Sequence, residues 1–392
     1  MISSSKECTG CGACQQICPK KCITMAPDKE GFLYPVVDES KCVKCGRCVK
    51  VCQLEHIVPE QKDCLENVKA WAAKLRNKEK VMKSASGGAF VAIAEYILEN
   101  EGIVFGCAYN EKMQVIHRSV SRMADLPLLQ SSKYVQSNTL STFAEAKKYL
   151  DEGRIVLYSG TPCQIAGLRL FLGNDYDKLY TIDLICHGVP SPMLFQKYLV
   201  WLGKENGGRI TRYNFRDKRK RGWNDSFICS YSAGNNERFS YAEYDPYFKH
   251  FLLQDTYREC CYNCLFSKPE RCADFTIGDY WGIQHIHPEF EDSTGVSALI
   301  ANTRKGVAFL SALENKVDLL PTKYHDIRRY NHNLNMPTPR NSEREHIYIG
   351  IMDKDASSYI RSIRLNVPLL KQISCRIPKK YKRMLRRLLK KG

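Results

Sequence analysis

The sequence predicts two parts of different class: a small α+β domain rich in cysteine, then a larger α/β domain. Three observations carry this. Cys8, Cys11, Cys14 and Cys18 stand at C-x2-C-x2-C-x3-C-P spacing before Pro19, and the comb returns at Cys42, Cys45, Cys48 and Cys52. From about residue 68, short apolar runs alternate with stretches of helical period. Gly, Ser and Pro turns separate them, as the connections of an α/β sheet require.

In the first part the spacing dictates the chemistry. Three thiolates on one loop can wrap three corners of an iron–sulfur cube, and the fourth cysteine, turned away by proline, ligates the other cluster. One 4Fe-4S cluster is therefore expected on Cys8, Cys11, Cys14 and Cys52, and a second on Cys42, Cys45, Cys48 and Cys18. Zinc also takes C-x2-C pairs, but four ligands per zinc leave two matched four-membered combs unexplained. Residues 1–56 read as a ferredoxin-like domain with two clusters, and the chain as one that moves electrons.

Composition bounds the rest. The chain has 392 residues, 26% charged and 44% hydrophobic, as in ordinary globular proteins of more than one domain. No apolar leader stands between Met1 and the first comb, and no uncharged run is long enough to span a membrane. Nineteen cysteines are then expected as metal-binding or reduced thiols in the cytoplasm. The net charge is +17, and about half of it sits in residues 376–391, which hold nine Lys or Arg and no acid. Such a balance favours acidic electron carriers or anionic lipid; without a recognisable module, nucleic acid is not an expected partner. In that tail Tyr381, Met384, Leu385, Leu388 and Leu389 form an apolar stripe, suited to an anionic membrane surface or to an acidic partner protein.

Residues 58–67 read as a linker, 69–75 as a strand, and 84–88 as a Ser/Gly turn. The helix that follows has Phe90, Ile93, Ala94, Ile97 and Leu98 on one face and stops at Gly102. Strands are expected at 103–109, 155–158 and 180–185, with helices at 143–150, 163–172 and 195–202. Residues 212–239 look antiparallel, 241–253 helical, and 275–279 strand and turn. Residues 323–344 show little pattern. The α/β domain is placed at 68–345, and a helical basic tail at 346–392.

Several constellations could carry chemistry. The Ser86-Gly87-Gly88 turn opens a helix, where free amides and the dipole attract anions; it would cradle nucleotide phosphates or serve only as a cap. Cys163 and Cys186, the latter beside His187, follow buried strands at the end where ligands bind in such sheets. They could ligate metal, act as redox thiols with the helix start lowering the Cys163 pKa, or pack. Cys260, Cys261, Cys264 and Cys272 form a third group; Cys261, Cys264 and Cys272, with Cys186, Cys163 or Cys260 as fourth, would hold a third cluster or zinc. Residues 216–221 hold five basic residues in six, read as a solvated loop or as an anion clamp with Trp223 stacking on a planar ring.

Together these motifs resemble the coenzyme F-420 hydrogenase/dehydrogenase beta-subunit family. The resemblance rests on Ser-Ala-Ser-Gly-Gly-Ala-Phe (84–90), Ser-Lys-Tyr-Val-Gln-Ser (132–137) and Gly-Thr-Pro-Cys-Gln-Ile-Ala-Gly-Leu (160–168). Asp-Leu-Ile-Cys-His-Gly-Val-Pro-Ser (183–191), Phe-Arg-Asp-Lys (215–218) and Asp-Phe-Thr-Ile-Gly-Asp-Tyr-Trp-Gly (274–282) extend it to about residues 70–340. It implies an α/β domain of the F-420 hydrogenase beta-subunit type and an iron–sulfur flavoprotein. FAD would sit at Ser86, Gly87 and Gly88, and Cys163 and the 261–272 group would serve a cluster. The 186–191 run is similar to bacterial members linked to surface-polysaccharide synthesis, where F-420 is a doubtful acceptor. The expected activity is electron transfer from two 4Fe-4S clusters, fed by a donor such as ferredoxin, to a flavin acting on an organic substrate, with His187 and Cys163 as catalytic candidates. The alternative is a non-catalytic electron-transfer subunit serving a partner enzyme.

Overall fold

The computed structural model describes residues 6–56, 64–223 and 227–353, with the single positions 360, 373, 377 and 381. The expected stripe from Met384 to Leu389 and Cys375 lie outside the described residues, as do positions 58–63 of the expected linker.

In the first part, each comb turns into a short helix directly after its second cysteine. Gly12 and Gly46, at φ 79° and 74°, make that turn in the left-handed region closed to most side chains. They lead into α1 (Ala13–Ile17) and α2 (Arg47–Lys50). Between them β1 (Ile23–Pro27) and β2 (Leu33–Val37) pair as an antiparallel hairpin, Ile23 opposite Val37.

The larger part begins with β3 (Cys64–Leu75), so the strand takes in residues 64–67 of the expected linker. It continues through α3 (Lys78–Lys83), α4 (Ala89–Glu99), β4 (Ile103–Tyr109), β5 (Val115–Val120), α5 (Thr142–Asp151), β6 (Val156–Gly160), α6 (Pro162–Leu172), β7 (Leu179–Leu184) and α7 (Pro192–Asn206). Then come β8 (Ile210–Asn214), β9 (Ile228–Ala233), β10 (Asn236–Tyr241), α8 (Pro246–Leu252), β11 (Phe275–Asp279), α9 (Ile283–Ile286), β12 (Ser297–Thr303), α10 (Arg304–Phe309), β13 (Val317–Thr322), α11 (Tyr324–Tyr330) and α12 (Glu343–Asp353). The patternless 323–344 stretch thus contains α11 and the start of α12, and α12 runs across position 345.

Eight strands form one sheet in the order β13-β3-β12-β11-β7-β6-β4-β5. Its centre, β4-β6-β7-β11, is parallel, and both flanks are antiparallel. The parallel centre is covered on both faces, which is why β6 begins with the uninterrupted apolar run Val156-Leu157-Tyr158, wholly buried. α4 packs Val91, Ile93 and Ile97 with Leu157, Ile182 and Phe275 on one face. On the other, α5 and α6 pack Phe143, Ile165 and Leu168 with Phe105 and Tyr158. A separate antiparallel sheet, β10-β9-β8, joins α7 and α8 around an aromatic core of Phe195, Tyr198, Tyr213, Phe215 and Tyr247. Local sequence sets the helix starts. α6 opens with Pro162 at its first position and a capping box between Thr161 and Gln164. In α7 the Ser191 hydroxyl accepts from the Met193 and Leu194 amides ahead of the helix body.

The two parts are joined by buried polar contacts. Arg258, fully buried, donates from Nε to the Cys8 carbonyl at 2.7 Å and from Nη2 to the Leu33 carbonyl at 3.0 Å. Arg344 pairs with Glu30 at 2.5 Å, and the Gln16 side-chain oxygen accepts from the Phe143 amide at 2.8 Å at the start of α5. The first cysteine loop also presses on α6, where a Cβ at Gly167 would lie 2.8 Å from Cys11 Sγ. Gly167→Ala is therefore expected to force the loop and helix apart and cost about 1–3 kcal/mol. Thermal unfolding of the full-length protein measures this; an unchanged Tm would show that the contact yields freely.

Candidate redox site

The cysteines gather in three groups. In the first, burial pushes the Cys11 thiol up to about 11, with the Cys8 and Cys52 sulfurs adding to the rise. Burial raises Cys14 as well, with Cys11, Cys8 and Cys52 as its sulfur neighbours. Cys52, from the second comb, thus stands with three cysteines of the first. In the second group Cys18, Cys42, Cys45 and Cys48 ring a cavity of about 250 Å3. Both memberships are those of the crossed pattern. Cys22 joins the second group, its Sγ 3.4 Å from that of Cys18; sequence spacing gave no signal for it. Among the described residues no three His, Cys, Asp or Glu side chains converge as on a single metal ion. The second-group sulfurs instead surround open space, and a cubane spreads its thiolates over a wider shell than one zinc does.

The third group assembles from distant segments. Burial pushes Cys163 well up, and the Cys264, Cys186 and Cys260 sulfurs push it further. Cys186 rises to about 12, from burial first and then Cys264. Burial therefore outweighs the helix-start effect expected to lower the Cys163 pKa, and a lone reactive thiolate is disfavoured there unless a cationic centre compensates it. Cys272 sits beside this group, its Sγ 3.7 Å from the Pro162 carbonyl and near Asp183, Arg169 and Arg271. Cys261 packs toward the aromatic core. The first and third groups adjoin: Cys260 is among the sulfurs that raise Cys8.

Beside the third group lies another cavity of about 250 Å3, at the carboxyl ends of β6, β7 and β11. Ser86, Gly88, Cys163, Cys186 and His187 all line it, and Thr9 reaches it from the cysteine domain. α4 begins there from Gly88, at φ 89°, and Ala89, Phe90 and Val91 of its first turn line the cavity, the Ala89 amide donating to the Ser297 hydroxyl at 3.5 Å. Gly87 is set back; a Cβ there would meet the Ala73 carbonyl at 2.3 Å, so strand packing demands this glycine. The Ser86 hydroxyl is spent on the Val296 carbonyl at 2.7 Å, so it is not offered to a ligand. Tyr134, Phe251 and Trp281 supply an aromatic wall. His187 is lowered by burial, against the pull of Asp279, and its ring is neutral near pH 7.

The basic run at 216–221 departs from the solvated loop. Arg216 and Lys218 are 4% and 3% exposed. Arg216 makes a two-armed pair with Asp279 at 2.8 and 3.2 Å and donates to the Tyr134 hydroxyl at 3.0 Å. Trp223 donates to the same Asp279 at 2.5 Å and stacks on Trp281, with centroids 5.2 Å apart and rings 1° from parallel. Trp223 therefore backs the cavity wall and leaves Trp281 to face the cavity. Lys218 Nζ donates to the Val81, Ser86 and Thr294 carbonyls at 2.5, 3.0 and 2.5 Å. Burial and the Arg216 charge push this amine down to about 7, yet three carbonyl acceptors need three N–H donors, which only the ammonium has. Lys218 is thus a charged clamp on the 84–88 turn.

His117, another cavity residue, has its tautomer fixed by its partners. The Ser159 carbonyl, 3.0 Å from Nε2, can only accept, so Nε2 carries the proton and Nδ1 accepts from the Ser137 hydroxyl at 2.8 Å. Burial pushes its pKa down to about 4. As pH falls from about 6.5 to about 4 the unfolded chain takes up a proton that the folded chain refuses, so stability is lost across that window, by up to about 3 kcal/mol. Denaturant midpoints against pH should show this slope, and His117→Gln should flatten it.

Comparison with known proteins follows the same division. Residues 153–324 match the family model described as the carboxyl terminus of the coenzyme F420 hydrogenase/dehydrogenase beta subunit. Residues 7–55 match that of a 4Fe-4S dicluster domain. No curated protein matches the chain. Among solved structures, a chain of the xenon-derivatised F420-reducing NiFe hydrogenase complex from Methanosarcina barkeri is similar, at 17% identity and a TM-score of 0.46, with 70% of this chain and 90% of that chain covered. With the motifs, the cysteine groups and both model matches in agreement, the chain is an iron–sulfur redox protein related to hydrogenase beta subunits, its residues 153–324 matching the carboxyl terminus of the coenzyme F420 hydrogenase/dehydrogenase beta subunit and its residues 7–55 a 4Fe-4S dicluster domain.

Proposed function

We propose that the protein is a flavin-dependent oxidoreductase in which iron–sulfur clusters pass electrons to FAD in the central cavity. The observation that carries this reading is one cavity lined by the start of α4, by two cysteines of the third group and by His187. Its lining chemistry suits the group. A diphosphate can accept from the Phe90 and Val91 amides in the first turn of α4, with Lys218 holding the preceding turn through the Ser86 carbonyl. Trp281, Tyr134 and Phe251 can flank a planar ring and keep water from it. When bound, a flavin links one-electron traffic to two-electron chemistry on an organic substrate. His187, neutral and at the cavity wall, would hold or release the proton that such chemistry moves.

The clusters belong to the same reading. Cys8, Cys11, Cys14 and Cys52 would hold the inner cluster, and Cys18, Cys42, Cys45 and Cys48 the outer one. Cys163, Cys186, Cys260 and Cys264 would hold a third, since Cys264, Cys186 and Cys260 all neighbour Cys163 and Cys264 also neighbours Cys186. The series of groups then runs from the outer cysteines to the cavity without a break, because Cys260 adjoins Cys8 and Cys163 adjoins the cavity. A division into 1–56, 68–345 and 346–392, a cytoplasmic site of action, and a role in surface-polysaccharide synthesis with the basic tail on anionic membrane complete the proposal. The likeness of the 183–191 run and the composition of 376–391 support that last part. No helix among the described residues is long and apolar enough to cross a membrane.

Protein reconstituted without oxygen should hold about twelve iron atoms, and Cys264→Ser about eight, with the amino-terminal signals in electron paramagnetic resonance retained. The same protein should bind FAD. Lys218→Met should weaken FAD binding by at least about tenfold at unchanged iron content, because the loosened turn loses its anion-facing geometry. Failure to bind added FAD would defeat the flavin reading. Protein that binds FAD and reduces dyes, yet turns over no small molecule alone, would be the relay subunit of a partner enzyme.

A further inference from the structure

The inner and outer cysteine groups differ in what surrounds them. The inner group is walled in by α6 and by Arg258, whose side chain reaches the Cys8 carbonyl. The outer group opens to solvent: Cys45 is exposed and Val43 is 57% exposed. Around that opening Lys20, Lys21, Lys41, Lys44, Arg47 and Lys50 are all exposed. Lys20, Lys44 and Arg47 line the mouth of the cavity that the four sulfurs ring. The neighbouring acids in residues 36–50 are Asp38 and Glu39, and Asp38 is already engaged by Lys41 at 2.7 Å. The exposed end of the cysteine series is therefore a strongly cationic face with a small apolar centre.

We infer that this face docks a small acidic electron-carrier protein, whose carboxylates meet the lysine and arginine rim while its redox centre approaches Val43 and Cys45. The inference rests on the outer group holding a cluster. Electron tunnelling falls steeply with distance, so a carrier must come close to one cluster, and the outer group carries Cys45, the exposed cysteine among the described residues. Opposite charge raises the encounter rate and orients the partner without demanding a tight complex, as suits an exchange that must release after each turn. The interface belongs with the small, transient ones of electron transfer. A membrane is the poorer occupant: interfacial anchoring uses an amphipathic helix with large apolar side chains, and here the exposed apolar centre is a valine beside a cysteine. In the step itself one electron leaves the carrier's reduced iron–sulfur or flavin centre and enters the oxidised outer cluster; no bond is made or broken and no proton is required.

Full-length protein, reconstituted without oxygen, is mixed in a stopped-flow instrument with a reduced acidic plant-type 2Fe-2S ferredoxin as probe. The second-order rate should fall at least about tenfold between about 20 mM and about 300 mM salt. The triple variant Lys20→Glu, Lys44→Glu, Arg47→Glu should lose about as much at low salt. None of these three side chains lines the central cavity. Reduction by methyl viologen radical, a small cation that needs no docking face, should hold or rise in the variant. Iron content and dithionite-reduced electron paramagnetic resonance report the clusters separately; their absence in the parent protein sinks the cluster reading, and calorimetric titration with oxidised ferredoxin then still tests the docking. With clusters intact, equal ferredoxin rates in parent and variant overturn the inference. So does charge-dependent binding of phosphatidylglycerol vesicles at this face with the ferredoxin rate unmoved.

Discussion

One buried guanidinium sets the spacing on which electron transfer in this protein depends. Arg258 is fully enclosed, and it donates to the Cys8 carbonyl, to the Leu33 carbonyl and, at 3.1 Å, to the Gln136 side chain. It lies over the Tyr34 ring at 4.0 Å. Its own backbone stands directly before the turn that carries Cys260 and Cys261. The residue therefore ties the inner cysteine loop to the third group by a single rigid link. A buried cation without acceptors would be strongly destabilising, so the Cys8 and Leu33 carbonyls that it needs must come from the cysteine domain. Docking of the two parts and the satisfaction of this charge are one event.

The parts of the fold that were legible in sequence are those whose determinants are local. The turn ending at Gly88 and the 3.6-residue period of Phe90 to Leu98 foretold α4, and the helix expected at 163–172 is α6. The two combs were legible for the same reason, because three cysteines of each sit a few residues apart on one loop. The basic run was misleading since its partners are remote: Asp279 lies 63 residues beyond Arg216, and the Val81 carbonyl 137 residues before Lys218. Nothing local marks such a run as buried. The third group shows the same limit in part: sequence spacing grouped Cys261, Cys264 and Cys272 and left the fourth member open among Cys186, Cys163 and Cys260, and the strand ends of β6 and β7 bring Cys163 and Cys186 together beside Cys264.

The central cavity owes its stiffness to layers behind its wall. Trp281 faces inward because Trp223 stacks against its other side, and Asp279 fixes Trp223 and Arg216 together. Lys218, two residues from Arg216, then holds the turn on the opposite edge. Two cations of one loop thus position two different walls, one aromatic and one lined by backbone amides. This arrangement limits rotamer freedom where a planar ligand would have to be held, and it leaves the motion of that ligand to the cavity rather than to its walls.

Burial also decides what state the cysteines prefer. Cys11 and Cys14 of the inner group and Cys163 and Cys186 of the third are driven upward by burial before any neighbour is counted, and neighbouring sulfurs drive them further. Four thiolates cannot share such a volume unless an iron core of opposite charge compensates them, since desolvation and mutual repulsion act in the same direction. Without iron the groups must stay protonated or open toward water. Loading therefore releases protons and closes the loops in one equilibrium, so iron binding contributes to the folding of the cysteine domain itself. Because Arg258 and Gly167 clamp the inner loop against the larger part, that stabilisation is transmitted to the junction beside the cavity. The electron path and the stability of the joint between domains then have the same physical origin.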